Sequence, residues 1–384
     1  MPHNPPLKTR LWARGGEMPS GVFMTRQDWE PEQIVRLRHQ LLEWYARNGR
    51  DLPWRRNADP YAIWVSEIML QQTRVAVVVD RYQAFLERFP TLASLAQASE
   101  QDVLALWSGL GYYRRARMLH KAAKFVADHQ QGKLPATSEG LRLLPGIGAY
   151  TAAAIASIAF GEPVAVVDGN VERVLCRLEG WEAGTHAGAA AHKRKIDDLA
   201  AQFVDPKRPG DFNQALMELG ATVCLPRNPQ CLVCPVAALC KTQGEHKTAP
   251  RSRMLSREVA HALSVRTTRE SGKASREVLL EQRPAALTVM PGLWELPTLV
   301  DPAVPEDEVR MTVRHAIMQV NYYVRIRAVF EDDIEWTTVA GGERRWVPLT
   351  EVAGMPLTGL TRKVLARAHL LAAAPRGVIA LERG

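Results

Sequence analysis

Four of the five cysteines in this 384-residue sequence fall between positions 224 and 240, with the spacing C-x6-C-x2-C-x5-C. Loops this short bring all four thiolates to one centre, so they predict a metal site rather than dispersed structural thiols. Zinc usually takes two C-x2-C pairs, whereas one C-x2-C between two longer gaps is closer to iron–sulfur ligation. Zinc and unliganded packing are the alternatives. The candidate ligands are Cys224, Cys231, Cys234 and Cys240. We expect Cys176 to be a buried, small apolar residue.

The composition describes a globular chain with a moderate positive charge. Hydrophobic residues make up 46% and charged residues 23%, and 49 Lys and Arg against 41 Asp and Glu give a formal net charge of +8. This balance suits a partner with a phosphate backbone, although many soluble proteins of similar charge bind no nucleic acid. No stretch approaches the roughly 20 uncharged apolar residues that span a bilayer, so we expect no membrane association.

The N-terminal segment mixes Pro, Arg and Gly and lacks the apolar core of a secretory signal. We expect residues 1–26 to form a disordered tail, with Met18 or Met24 as a candidate for the true start. A cytoplasmic protein is expected.

The sequence divides into two modules. Residues 27–241 have apolar residues at helical spacing between Pro and Gly turns, residues 242–258 are polar and basic like a linker, and residues 259–375 have the pattern of an α+β module. Helical stretches are predicted in Ile34–Tyr45, Tyr61–Phe89, Val103–Trp107 and Ala116–Val126. In the second module we predict strands at Val278–Glu281, Tyr322–Phe330 and Glu343–Val347, and helices near Asp307–His315 and Leu360–Leu371.

A short glycine motif, Leu144-Pro145-Gly146-Ile147-Gly148, lies between two predicted helices. The two glycines let the backbone adopt positive φ and approach a ligand closely. Their N–H groups, at the start of a helix, would receive a phosphate oxygen. A plain helix–helix turn is the alternative interpretation.

Two carboxyl groups stand in unusual places. Glu67 shares a helix face with Ile63 and Trp64, where burial would raise its pKa and favour a proton donor. Asp168 follows an extended apolar run and precedes a predicted helix, the position of an N-cap. A carboxylate held rigid in this way can also stabilise a sugar cation. The alternatives are a paired Glu at the helix edge and a purely structural cap.

These motifs together resemble a known family. The segment 144–168, with Leu-Pro-Gly-Ile-Gly and then Gly161, Pro163 and Asp168, resembles the helix–hairpin–helix, Gly/Pro-loop, Asp signature of DNA glycosylases. The cysteine spacing is similar to that of the endonuclease III and adenine glycosylase (MutY-type) branches. Three strings resemble the adenine glycosylase branch in particular: Leu52–Arg55, Trp64–Thr73 and Gly109–Arg114.

The resemblance implies a site and its residues. The bifunctional lyases of the superfamily have a Lys at the position of Tyr150, and tyrosine cannot form their Schiff base. Glu67 would protonate adenine at N7, and Asp168 would stabilise the sugar cation, with Tyr150 and Asn170 positioning the carboxylates. Gln72 and Tyr112 would fill or wedge the base stack, and Gly146 and Gly148 would bind the backbone. The adenine pocket would be lined by Trp54, Arg55 and Gln214. For the wedge and pocket residues the alternative is ordinary packing.

The C-terminal module resembles the Nudix-like recognition domain of this family, through Val278–Pro284 and Pro291–Pro297. Residues 298–315 lack the Glu-rich magnesium helix of a Nudix hydrolase, so we predict no pyrophosphatase activity. Where the family has a Phe-Ser-His loop touching 8-oxoguanine, this sequence has Ile317-Met318-Gln319. Either Met318 or Gln319 contacts the lesion differently, or recognition relies more on the N-terminal module.

The resemblance thus implies a mainly α N-terminal helix–hairpin–helix glycosylase with a 4Fe-4S cluster and a C-terminal α+β Nudix-like domain. It would act as a monomer in base excision repair on double-stranded DNA, removing adenine mispaired with 8-oxoguanine or guanine without cutting the strand. The cluster would shape a basic DNA-binding loop that includes Arg227. The rivals are a bifunctional pyrimidine glycosylase/lyase and a non-catalytic DNA-binding protein.

Overall fold

The structure is a computed structural model that describes residues 29–181, 189–246, 253–270, 273–317, 319–334 and 342–371. The predicted tail at residues 1–26, with Met18 and Met24, lies outside the described residues, as does Met318 of the altered loop. Within the described part, no helix has both the length and the apolar character needed to cross a membrane.

The first module is built from eleven described helices, and the predicted helical stretches are confirmed, with Tyr61–Phe89 divided into two helices. The break follows Leu70, where the chain turns through Gln71–Arg74 before α3 begins. The helices are α1 (Pro31–Asn48), α2 (Pro60–Leu70), α3 (Val75–Arg88), α4 (Leu92–Gln97), α5 (Glu100–Trp107), α6 (Arg114–His129), α7 (Ser138–Arg142), α8 (Ala149–Phe160), α9 (Gly169–Glu179), α10 (Ala189–Phe203) and α11 (Pro209–Thr222).

These helices enclose two apolar cores. One core is formed by α2 to α8 and includes Trp64, Phe85 and Trp107, each fully buried. The other is formed by α1 and α9 to α11 around Phe203 and Phe212. Helices α2 and α11 are apolar on most of their surface because each lies between neighbours, which is the pattern of a buried helix.

The second module contains two small sheets. The first has the strand order β1-β6-β5, with β1 parallel to β6 and β5 antiparallel to it, and in the second β3 pairs with β2, β4 and β7. A helix, α13, packs on this module near β4, and its Val364 and Leu365 are fully buried. The elements are β1 (Leu255–Leu263), β2 (Val265–Glu270), β3 (Lys273–Gln282), β4 (Trp294–Glu295), β5 (Val309–Ile317), β6 (Val320–Ala328), β7 (Arg344–Pro348), α12 (Leu349–Val352) and α13 (Gly359–Arg367).

The predicted strands in β3, β6 and β7 and the predicted helix at α13 are confirmed, but the helix predicted near Asp307–His315 is wrong. Those residues enter β5, which pairs with β6 from Val309 to Ile317. Val313 points into the core and its neighbours on both sides do not, so the segment has the two-residue period of a strand. The predicted linker is also too long at its end, because β1 begins at Leu255.

The two modules touch directly. The Tyr113 hydroxyl donates to the Leu357 carbonyl at 2.7 Å, and the Arg362 Nε donates to Ser108 Oγ at 2.8 Å. Leu293, from the segment before β4, is fully buried in the core of the helical module. These contacts close one side of a cleft between the modules.

Candidate active site

A cavity of about 800 Å³ opens between the two helical cores, with walls from α2, α8, α9 and α11. It brings together most of the residues that the sequence predicts for the site. The predicted residues that line it are Trp54, Arg55, Glu67, Gln72, Gly146, Gly148, Tyr150, Asp168, Asn170 and Gln214. Tyr112 lines a second cavity instead.

Glu67 lies in the middle of α2 and is 5% exposed. The N-cap of the helix is Asp59, whose carboxylate accepts from the backbone N–H groups of Tyr61 and Ala62. Its next two turns are almost entirely apolar, so they bury the carboxyl group. Burial raises the pKa of Glu67 to about 7, and the Tyr150 hydrogen bond opposes this rise. The predicted direction of this shift is confirmed.

Tyr150 stands near the start of α8 and donates its hydroxyl to Glu67 Oε2 at 2.9 Å. The hydroxyl is also 3.5 Å from Met217 Sδ on α11. Burial, followed by the nearby carboxyl groups Glu67 and Asp168, raises the pKa of Tyr150 well above its usual range. The phenol therefore stays protonated and acts as a fixed donor to Glu67.

Asp168 is the N-cap of α9, as the sequence predicts. Its Oδ1 accepts from the backbone N–H groups of Asn170 at 2.9 Å and Val171 at 2.7 Å, and its Oδ2 accepts from Asn170 Nδ2 at 3.1 Å. Arg173 donates to Asn170 Oδ1 at 2.8 Å and to the Cys224 carbonyl at 2.9 Å. Three N–H donors therefore fix the Asp168 carboxylate at the cavity wall. The hydrogen bond from Arg173 in turn fixes the side-chain amide of Asn170.

A buried ion-pair network in the wall of the same cavity was missed by the sequence analysis. Glu218 of α11 is 0% exposed at its side chain and accepts from Arg50 Nε at 2.6 Å and from Arg55 at 2.8 Å. Burial alone would raise the pKa of Glu218. The hydrogen bonds from Arg50 and Arg55 outweigh burial, so the pKa of Glu218 lies below its usual value. Gln214, one turn earlier, accepts from the Tyr45 hydroxyl at 3.3 Å. Glu218 carries part of the signal that identified Glu67, because it is a carboxyl group between the apolar residues Met217 and Leu219 of a largely buried helix.

The glycine motif forms a hairpin between α7 and α8. Gly146 has φ of +77°, and a Cβ there would lie 2.6 Å from Met118 Cβ. Gly148 is the N-cap of α8 with φ of −88°, so positive φ is confirmed for Gly146 and wrong for Gly148. No heavy atom lies within 4 Å of a Cβ built at Gly148. The amides at the start of α8 therefore face an open surface.

A second cavity, of about 900 Å³, lies between the helical module and the C-terminal module. The turns at Gln72 and Tyr112 form one side, and both residues have the left-handed backbone, with φ of 55° and 47°. Ile317, from the altered loop, lies on the side formed by β5, together with His315. Gln72 borders both cavities and therefore stands between them.

The four clustered cysteines line one small cavity of about 30 Å³ beside Arg177. Cys224 Sγ accepts from Arg177 at 3.2 Å, and burial raises the pKa of Cys234 to about 11. Among the described residues, no group of three or more His, Cys, Asp or Glu side chains stands at metal-binding geometry. Cys176 is 4% exposed in the second core, as predicted.

Comparisons with known proteins show which family and which proteins the chain resembles. Residues 65–197 match the model of the HhH-GPD superfamily of base excision DNA repair proteins. The human adenine DNA glycosylase is 50% identical over 220 residues, which are 55% of this chain and 40% of the human protein. The Arabidopsis thaliana adenine DNA glycosylase is 39% identical over 332 residues, 76% of this chain and 51% of the plant protein.

The chain spans about half the length of the curated relatives it matches. Among solved structures, that of a thermostable thymine-DNA glycosylase is 28% identical, with a TM-score of 0.49, and the match covers 55% of this chain and 97% of that one. Within the helical module the chain is thus similar to the HhH-GPD superfamily of base excision DNA repair proteins, and over a longer stretch it is similar to the adenine DNA glycosylases.

Proposed function

We propose that this chain hydrolyses the bond between adenine and its deoxyribose in double-stranded DNA, where adenine is mispaired with 8-oxoguanine or guanine. The observation that carries the proposal is one cavity with a protonatable carboxyl group, Glu67, and a separately fixed carboxylate, Asp168. Two carboxyl groups in different environments provide the acid and the cation stabiliser of a glycosidic hydrolysis.

Glu67 provides the acid. With a pKa of about 7, it holds a proton at neutral pH and can give it to N7 of adenine, which makes the base a better leaving group. Tyr150, which donates to Oε2, leaves the other oxygen of Glu67 free to carry the transferred proton. When the bond to the base breaks, positive charge develops on the sugar, and Asp168 stabilises it before water adds.

Adenine reaches this cavity only after it leaves the base stack. The hairpin at Gly146 and the start of α8 would bind a backbone phosphate next to the cavity mouth. Gln72 and Tyr112 would occupy the space that the base vacates, while Trp54, Arg55 and Gln214 would line the pocket that receives it. The protein would act on this substrate as a monomer.

The chain is proposed to release the base without cutting the strand. A lyase forms a Schiff base between a lysine amine and the sugar, and the residue that faces Glu67 from α8 is Tyr150. Borohydride reduction during turnover should therefore leave no covalent protein–DNA adduct. A trapped adduct would instead favour the bifunctional pyrimidine glycosylase/lyase.

The C-terminal module is proposed to be a Nudix-like lesion-recognition domain, connected by a linker that begins near residue 242. Its β5 faces the turns at Gln72 and Tyr112 across the second cavity, where the base opposite adenine would be examined. Ile317 brings an apolar side chain to this surface, and Gln319 follows just after β5.

Single-turnover adenine release from two duplexes tests the function and its specificity. We expect faster release from adenine opposite 8-oxoguanine than from adenine opposite guanine, and loss of release from both with Glu67→Gln. Equal rates would show an adenine glycosylase without lesion discrimination. No release from either duplex would refute the function and favour a non-catalytic DNA-binding protein. Full turnover by Glu67→Gln would contradict the role of Glu67 as the acid.

We propose that Cys224, Cys231, Cys234 and Cys240 hold a 4Fe-4S cluster. Four sulfur donors around one space, without carboxylate or imidazole, are the donor set of such clusters. When bound, the cluster would fix the loop that carries Arg227 against DNA. Iron and acid-labile sulfide in equal amounts in the purified protein would support this proposal, and zinc alone would contradict it.

A further inference from the structure

Two turns at the mouth of the second cavity hold non-glycine residues in the left-handed backbone conformation. Gln72, just after α2, has φ of 55°, and Tyr112, just before α6, has φ of 47°. Non-glycine residues keep this conformation only where the surrounding structure holds them in it. Both side chains are exposed, and Tyr112 is 48% exposed, so burial of the two side chains does not by itself hold these turns.

The guanidinium of Arg115 lies between the two turns. Its Nη1 donates to the carbonyl oxygens at the end of α2, to Ile68 at 2.8 Å, to Met69 at 3.0 Å and also to Gln71. The last carbonyls of a helix have no partner within the helix, so this side chain supplies the missing donors.

The other end of the same guanidinium serves the second turn. Arg115 Nη2 donates to the carbonyl oxygens of Leu110 and Gly111, both at 3.1 Å. It also donates to Thr73 Oγ1 at 3.0 Å, and that hydroxyl is 3.3 Å from both the Gln71 and the Leu110 carbonyls. Arg115 and Thr73 together therefore connect the end of α2 with the turn before α6.

The environment of Arg115 requires an arginine. Its Cζ lies 5.5 Å from the ring centroids of both Trp107 and Tyr112, so the planar group is placed against aromatic rings. A lysine ammonium has three N–H donors at a single atom and cannot reach two separated sets of carbonyl oxygens.

We propose that Arg115 is a positioning residue that fixes the Gln72 and Tyr112 turns relative to each other and to the end of α2. Because Glu67 lies one turn before that end, the same contacts set the two turns relative to the catalytic acid. The consequence for catalysis rests on the proposed function: the two side chains would enter the opened stack together, while adenine enters the cavity of Glu67.

Amide hydrogen exchange of the free protein tests the coupling without any activity. Thr73 N donates to the Leu70 carbonyl in one turn, and Leu110 N donates to the Trp107 carbonyl in the other. With Arg115→Lys we expect both amides to exchange about tenfold faster, whereas Arg88→Lys, at an exposed site on α3, should change neither. Faster exchange in one turn only, or in neither, would overturn the coupling.

Base flipping tests the consequence. With 2-aminopurine in place of adenine, we expect the fluorescence rise on unstacking to slow about tenfold in Arg115→Lys, while the pH midpoint of adenine release stays near that of the native protein. An unchanged flipping rate, or a shifted midpoint, would contradict a positioning role. If the native protein itself releases no adenine, the proposed function fails, and the exchange result still decides the coupling.

A second variant guards against a folding defect. Thr73→Val removes the shared hydroxyl and keeps the shape of the side chain. We expect the same two amides to exchange faster, by a smaller factor than with Arg115→Lys, because the guanidinium still reaches the carbonyl oxygens. Unchanged exchange at both amides would overturn the shared role given to Thr73 and leave the connection to Arg115 alone.

Discussion

At the scale of single residues, the proposed chemistry depends on a carboxyl group whose pKa is raised by burial. The pKa of Glu67 is raised from 4.5 to about 7 by burial in α2. Its active form as an acid is the protonated one, which predominates below the raised pKa. We therefore predict a single-turnover rate that is constant below about pH 7 and falls about tenfold per pH unit above it. A rate that rises with pH through this range would show that Glu67 acts as a base.

Glu218 is buried like Glu67, but its pKa is lowered rather than raised, because the guanidinium groups of Arg50 and Arg55 stabilise its charged form. Replacing it with Gln leaves Arg50 and Arg55 around a neutral amide, so we predict a loss of about 2 kcal/mol of unfolding free energy, since Arg50 is partly exposed. Adenine release should slow as well, because Arg55 lines the pocket. Thermal unfolding measures the first effect. Asp51→Asn, which breaks an exposed pair with Arg56, is the control and should leave Tm unchanged.

The sequence shows a residue's place within its own element better than its partners elsewhere. Glu67 and Asp168 were predicted because an apolar helix face and a helix start are local patterns. Glu218 was missed because its role depends on Arg50 and Arg55, more than 160 positions earlier in the chain. A carboxyl group on a buried helix therefore indicates a partner elsewhere in the chain, although the local sequence does not identify that partner.

At the scale of secondary-structure elements, long amphipathic or apolar helices were predicted well and the edge strand β5 was not. The stretch that contains Val309 and Val313 satisfies helical spacing, because these positions are four apart. Pairing with β6 makes the segment a strand, because β6 provides hydrogen-bond partners for the backbone of β5 and places Val313 opposite Val324 in the core. That pairing is a tertiary contact, and local propensity does not contain it.

The hairpin between α7 and α8 depends on one glycine. Gly146→Ala would force a side chain into the left-handed region and bring its Cβ to 2.6 Å from Met118 Cβ on α6. We predict a loss of about 2 kcal/mol of unfolding free energy and weaker duplex binding, because the hairpin must move off α6. Gly148→Ala, where the added Cβ meets no atom, should keep the native Tm. Equal Tm values for the two variants would contradict this interpretation.

At the scale of the whole molecule, the contacts between the two modules could not be predicted from the sequence. The local sequence around Leu293 and Tyr113 does not indicate their partners. Leu293, of the C-terminal module, is buried in the core of the helical module, and Tyr113, of the helical module, donates to the Leu357 carbonyl of the C-terminal module. The result is a cleft with the turns of the helical module on one side and β5 on the other. If the base opposite adenine is examined in this cleft, then discrimination depends on how firmly the modules are held together.

Removing a single hydroxyl tests that dependence. Tyr113→Phe deletes the donor to the Leu357 carbonyl, a hydrogen bond worth about 1 kcal/mol, and leaves the ring in place. We predict that the ratio of release rates, adenine opposite 8-oxoguanine to adenine opposite guanine, falls up to about fivefold as the modules loosen. Tyr61→Phe is the matched control, because its buried hydroxyl donates to the Phe89 carbonyl at 2.8 Å within the helical module. Both variants should lose similar stability, and only Tyr113→Phe should change the ratio. An equal change in both would mean that discrimination follows overall stability, and a constant ratio in both would place it within the helical module alone.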